Sequence, residues 1–223
     1  AANDIIVANP SPEKRLQLAN EFGVQQTDDN IKAGDFADII VLSVKPHFIC
    51  DVCQQLSNAI DIANKLFVSV AAGTTVAQIQ QALNAKKPVV RVMPNTPAQL
   101  GLGMSGMFAS NEVNNEQKAA SDKLMSAVGK VIWLETEDKI NDIIAVAGSA
   151  PAYFFLFMEA MEKQAQVLGF SPEESRVLVQ QTALGAAQMV EHNNVAISTL
   201  RENVTSKGGT TFAALEQFRK DGI

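Results

Sequence analysis

Six short segments, several of them nearly continuous in apolar residues, constrain this chain more than any other feature: Asp4–Ala8, Ala37–Val44, Leu66–Ala71, Val89–Met93, Met104–Ala109 and Lys130–Leu134. In Ile39-Ile40-Val41-Leu42 and Val89-Val90-Arg91-Val92 there is no alternation of apolar with polar. Strands of that kind are buried on both faces, usually because helices cover a parallel sheet from either side. The stretches between them carry helix signals. Ser11-Pro12-Glu13 offers an N-cap and a proline at the first helical position, and Gly23 stands where that helix should stop. Thr75 and Gln78 have capping-box spacing. Strand and helix in this rhythm predict a doubly wound parallel α/β sheet over residues 1–135.

Beyond that point the strand signal stops. Lys139 to Leu168 reads as helix interrupted near Gly148–Pro151, and Ser171-Pro172-Glu173-Glu174 starts a second helix running towards Glu191. Ala183, Gly185, Ala186 and Ala187 would let another helix approach it closely, and a third helix follows Gly208-Gly209. The sequence therefore divides into a sheet domain, 1–135, and an all-helical domain, 136–223. Lys and Arg number 18 against 24 Asp and Glu, with no basic stripe, which argues against a nucleic-acid partner. The longest uncharged run, Ile143 to Met158, has 16 residues and falls short of a membrane span. No basic segment followed by an apolar one marks the N-terminus for secretion. These features lead us to expect a soluble, cytoplasmic protein.

Two motifs read as structure. Gly101-Leu-Gly103-Met-Ser-Gly106 matches a dinucleotide fingerprint in letters only, because prolines precede it and a strand-like run follows. Cys50-Asp-Val-Cys53, with His47 before it, lacks the further ligands a zinc site needs, so no metal is expected and core cysteines are the better reading. Other segments read as sites. Val44-Lys45-Pro46 and Ala71-Ala72-Gly73 end buried strands, where open parallel sheets bind ligands. Arg91-Val92-Met93-Pro94-Asn95-Thr96-Pro97 ends another, with two prolines bracketing an Asn-Thr pair and fixing the loop. Ser206-Lys207-Gly208-Gly209-Thr210-Thr211 puts hydroxyls and free amides before a helix, which suits a carboxylate or phosphate.

Taken in order along nearly the whole chain, these segments resemble the pyrroline-5-carboxylate reductase family. Val204–Leu215 is the most specific stretch, and Val44–His47, Val70–Gly73, Met93–Pro97 and Gly148–Tyr153 fall in the family's order and spacing. The resemblance implies an NADP-binding Rossmann-like domain followed by a helical domain that dimerises, or builds a larger homo-oligomer. It implies reduction of 1-pyrroline-5-carboxylate to proline. Val44, Lys45, Pro46, Ala71 and Ala72 would line the cofactor, with Asn30 and Asn203 contacting it. Ser206, Gly208, Gly209, Thr210 and Thr211 would hold the substrate, and Glu137 matches an acidic residue near it. Thr211 and Glu137 are thus the candidate catalytic residues, although Glu137 reads equally as a surface carboxylate at a helix start. The chain departs from the family in opening at what reads as the second strand, so that the first strand, Gly-rich loop and helix are absent from it. Lys207 also replaces a usual Pro, and Ala147 a usual Ser.

The end of the first strand bears on cofactor choice. Asn9-Pro10-Ser11, with Lys14 and Arg15 nearby, replaces the acidic residue that would hold an adenosine ribose. Neutral donors at a helix N-terminus suit a 2′-phosphate, so NADPH is expected over NADH. Two rivals remain at the level of sequence: a β-hydroxyacid dehydrogenase using Lys163, and an inactive scaffold of the same fold.

Overall fold

The computed structural model describes residues 2–222 and separates into two compact units, Ala1–Ala152 and Tyr153–Ile223. The first unit contains strands β1 (Ile6–Ala8), β2 (Gln25–Thr27), β3 (Ile39–Leu42), β4 (Leu66–Ser69), β5 (Val89–Met93), β6 (Gly103–Ala109) and β7 (Gly129–Trp133). Between them run α1 (Pro12–Phe22), α2 (Asn30–Phe36), α3 (Ile49–Ala59), α4 (Val76–Ala82) and α5 (Asn115–Ser126), and after β7 comes α6 (Lys139–Ile143). The capping signals act where the sequence puts them. Pro12 opens α1 and Gly23 closes it in the left-handed conformation, at φ 68°. Thr75 and Gln78 form a reciprocal capping box on α4.

The sheet is mixed rather than purely parallel. β3, β4 and β5 pair in parallel, β6 runs antiparallel to β5, and β7 is parallel to β6. The link from β5 to β6 is only a short 3-10 turn, Thr96–Leu100, too short for the crossover that a parallel pair requires. β1 and β2 form a separate parallel pair. β2, which reads as polar in sequence, was not expected as a strand. β4 is buried at every residue, whereas β3 alternates, with Ile40 and Leu42 buried and Ile39 and Val41 exposed, so its continuous apolar run is not buried on both faces as expected. The core packs around Phe67, Ile49, Leu56, Ile79 and Leu83 on one side, and around Val68, Val90 and Met107 on the other. Cys53 belongs to the first cluster, and burial pushes its thiol up to about 12, with Cys50 adding to the rise.

Helix α6 does not stop at Gly148. It passes through one π-helical turn, Ile144–Gly148, into α7 (Ala150–Val167). Pro151 has no N–H to give to the Ala147 carbonyl, and the side-chain amide of Asn95 donates to that carbonyl instead, at 3.1 Å. The helical stretch Lys139–Val167 is therefore 29 residues, longer than its uncharged run, and long and apolar enough by composition to cross a membrane.

The second unit continues α7 and adds α8 (Pro172–Glu191), α9 (Ile197–Asn203) and α10 (Thr210–Lys220). Ser171 and Glu174 form the expected capping box on α8. The short α9 has no side-chain cap, and no start signal in the sequence announces it.

Candidate active site

Because β3, β4 and β5 run parallel, their carboxyl ends share one edge of the sheet. Val44, Lys45 and Pro46 follow β3, Ala71, Ala72 and Gly73 follow β4, and Met93 ends β5 ahead of Asn95. The sheet thus brings three separate sequence segments together. Val44, Lys45, Pro46, Ala72 and Gly73 are exposed, while Ala71 is buried beneath them. Gly73 has φ 83°, and a Cβ there would meet nothing within 4 Å, so the backbone is bare on that side.

Asn95 uses both ends of its amide inside the fold. It donates to the Ala147 carbonyl, and its oxygen accepts from the Met104 amide at 2.9 Å. The loop after β5 is thereby tied both to the π turn and to the start of β6. Gly148 lies so close to Met93 that a Cβ would stand 3.0 Å from the methionine methyl.

The turn after β1 is also built. The Ser11 amide donates to Asn9 Oδ1 at 2.9 Å, and Arg15 NH1 donates to the carbonyl of Asn9 at 3.1 Å. Arg15 Nε reaches Gln26 on β2 at 2.7 Å, so this cation props the turn from beneath. The Ser11 hydroxyl makes no capping bond to α1 and remains available at the helix N-terminus. Asn30 opens α2, with its amide 3.4 Å from Gln55 Oε1.

Glu137 is neither a lone charge nor a solvated carboxylate. Its Oε1 accepts from Arg91 NH1 at 2.7 Å and from the Val76 amide at 2.7 Å. Arg91 opens the segment Arg91–Pro97 that reads as a site, but the sequence assigns it no role of its own. The signal was nonetheless there, since a cation inside Val-Val-Arg-Val-Met must find a partner if that strand is buried.

In the second unit, Ser206, Gly208 and Gly209 form the turn that enters α10. The Gly209 amide donates to the Ser206 carbonyl at 3.0 Å, and Gly208 takes φ 74°. No side chain caps α10, so the amides of its first turn, with Thr210 and Thr211, face outward without a partner from a cap. Ser206, Thr210 and Thr211 are exposed, as is Asn203 at the end of α9. Donors of this kind suit a carboxylate. The dinucleotide that the resemblance implies fits the first unit: small or bare residues at the strand ends can approach a flat ring, and the Ser11 hydroxyl with the α1 N-terminus can meet a phosphate.

Two family models match the chain. One is described as pyrroline-5-carboxylate reductase dimerisation and matches residues 137–223, and the other as NADP oxidoreductase, coenzyme F420-dependent, matching residues 1–73. A pyrroline-5-carboxylate reductase of Vibrio alginolyticus is 56% identical over 220 residues, covering 98% of this chain and 80% of the relative. The Pasteurella multocida enzyme of the same name is 48% identical over 220 residues, covering 96% and 79%. Among solved structures, a pyrroline-5-carboxylate reductase from Coxiella burnetii matches with a TM-score of 0.93 at 40% identity, covering 99% of this chain and 82% of that one. A Plasmodium falciparum pyrroline carboxylate reductase with NADP bound matches with a TM-score of 0.86 at 25% identity, covering 99% and 80%.

Proposed function

The chain belongs to the pyrroline-5-carboxylate reductase family, and we propose that it reduces 1-pyrroline-5-carboxylate to L-proline with NADPH. The observation that carries this reading is the uncapped turn Ser206–Thr211, which offers hydroxyls and amides to a carboxylate and lies in the segment most like the family's signature. Bound NADPH supplies the hydride that reduces the C5=N bond of the cyclic imine. The protein's part is to bind and orient. The edge made by Val44–Pro46, Ala71–Gly73 and Met93–Asn95 holds the dinucleotide, with Asn30 and Asn203 as further contacts. Asn9 and Ser11 favour a 2′-phosphate, because neutral Asn9 rather than an acidic residue follows β1. The amides of Ser206–Thr211 hold the substrate carboxylate. Thr211 hydrogen-bonds the ring nitrogen as it changes from iminium to amine, a neutral contact with no charge to desolvate.

The β-hydroxyacid dehydrogenase reading loses its candidate base. Lys163 Nζ lies 2.7 Å from Glu159 Oε1 on an exposed helix face, with 73% of its side chain accessible, and is thus engaged in a solvated pair. We further propose that the protein is cytoplasmic and assembles with itself through residues 137–223. A second copy, rather than lipid, would then cover the apolar helix Lys139–Val167.

The test is turnover of 1-pyrroline-5-carboxylate by the full-length enzyme, with NADPH and NADH as alternative donors, beside small hydroxyacids. Thr211→Ala removes a bond to a group of charged character, so kcat/KM for the imine should fall by about ten- to a hundredfold. Thr211→Ser should keep most activity, and NADPH affinity should be unchanged in both variants. Parent-like turnover by Thr211→Ala makes Thr211 a helix-start residue only. A preference for NADH of about tenfold in kcat/KM defeats the reading of Asn9 and Ser11.

A further inference from the structure

Arg91 is a buried cation in the middle of an apolar strand, and a single carboxylate oxygen answers it. Glu137 Oε1 takes Arg91 NH1 and the Val76 amide, each at 2.7 Å. The Arg91 side chain is 8% exposed and that of Glu137 25%. One oxygen therefore joins β5, the first residue of α4 and the loop behind β7, segments far apart in sequence. The other early bonds of α4 are already made by its own capping box, in which Thr75 accepts from the Gln78 amide and Gln78 from the Thr75 amide. At the first residue of the helix, Glu137 supplies an anchor from outside it. Immediately before that anchor lie Ala71, Ala72 and Gly73, on the edge assigned to the dinucleotide.

Charge decides what this carboxylate can do. Paired so closely with a guanidinium, Glu137 acts at a distance as half of a dipole, whose field falls off faster than that of a lone anion. Such a group is poorly suited to stabilise a cationic imine and well suited to hold a backbone. We propose that Arg91 and Glu137 are a positioning pair that sets the Val70–Val76 turn, and with it NADPH affinity, and that Glu137 influences the reduction only through Arg91 and Val76. This rests on the reading of Ala71–Gly73 as cofactor residues.

The experiment uses the full-length enzyme, Glu137→Gln, Arg91→Met and the double variant. NADPH dissociation constants come from nicotinamide fluorescence, stability from thermal denaturation, and kcat from turnover of the imine. Glu137→Gln keeps an acceptor for the Val76 amide but strands a buried cation. Its NADPH dissociation constant should rise about tenfold, while kcat at saturation falls by no more than about threefold. The double variant, with both charges gone, should regain at least half of the lost affinity and melting temperature on a logarithmic scale. If Arg91→Met does not fold, Arg91→Lys takes its place, and Glu137→Gln should then be less damaging on the Lys background than on the parent. Two results overturn the proposal: kcat falling by about tenfold or more in Glu137→Gln with NADPH affinity intact, or a double variant no better than Glu137→Gln alone. A parent enzyme that does not turn over the imine defeats the functional reading instead, since affinity and melting still judge the pair.

Discussion

The sheet unit and the helical unit use similar apolar residues in opposite ways. Among the described residues, every buried apolar side chain but one lies in the first unit, and Val179 is the exception. In the second unit, Tyr153, Phe154, Phe155 and Leu156 of α7 are consecutive and all at least 59% exposed. Some glycines show the same contrast, although Gly73 and Gly101 of the sheet unit also stand in open space. At Gly103, Gly106 and Gly129 of the sheet unit a Cβ would collide with neighbouring atoms, whereas at Gly169, Gly185 and Gly208 it would meet nothing within 4 Å. The helices over the sheet bury most of its apolar core, although Ile39 and Val41 of β3 stay exposed. The helices of the second unit leave Tyr153–Leu156 of α7 and Val177, Leu184 and Met189 of α8 exposed, and large exposed apolar surface of this kind marks an association site. The lesson is that, among the described residues, the first unit holds nearly all of the buried apolar side chains, whereas the second leaves its apolar surface open to association.

The sharpest attempt to break this contrast is to place charge on α7. Phe154→Asp with Leu156→Asp addresses both sides of the helix. An unpaired buried charge costs about 3–5 kcal/mol, so the variant should sediment as a monomer and lose nearly all activity. The sheet unit should remain folded by circular dichroism. A dimeric, active double variant would show that these side chains face water in the assembled enzyme.

Gly129→Ala probes the other side of the comparison. Gly129 sits across from Gly103 in the β6–β7 pair, at φ 148°, and its Cβ would overlap the Gly103 backbone. Backbone cannot yield as a side-chain tip can, so about 3 kcal/mol of stability or more should be lost, read as a fall in melting temperature. The matching change, Gly185→Ala in α8, should leave a single chain unharmed, because open space surrounds it. A weaker dimer in that variant would place a second helix against Gly185.

The smallest effect concerns Ser175. Its hydroxyl is fully buried in α8 and has no hydrogen-bond partner among the described residues. Removing it in Ser175→Ala should leave stability unchanged or raise it by about 1 kcal/mol. A loss of stability would mean that the assembled protein supplies the missing partner.

Much of this was legible in the chain. Continuous apolar runs betray strands, so β3, β4 and β5 could be read directly, and with them the edge that carries Val44, Ala71 and Met93, although only β4 and β5 are buried along their runs. Caps are local, which is why Gly23, Thr75 and Ser171 act as the sequence implies, whereas Ser11 stands at the N-cap position of α1 without a side-chain capping bond. The short polar strand β2 left no apolar trace, and α9 has no cap to announce it. Pro151 reads as a helix break because its missing N–H breaks a local bond. The helix nevertheless continues, since the freed carbonyl of Ala147 is taken up by Asn95, 52 positions away.

The sequence by itself determined the apolar strands, most caps and the family, because each of these depends on neighbours a few residues apart or on a pattern in register. Tertiary structure alone decided the antiparallel course of β6 and the partner of Arg91. It also turned Glu137 from a candidate free acid into one member of an ion pair. A charge inside a sheet takes whatever counter-charge the fold brings within reach. Position 91 can announce that a partner must exist, but only the packed chain could choose position 137.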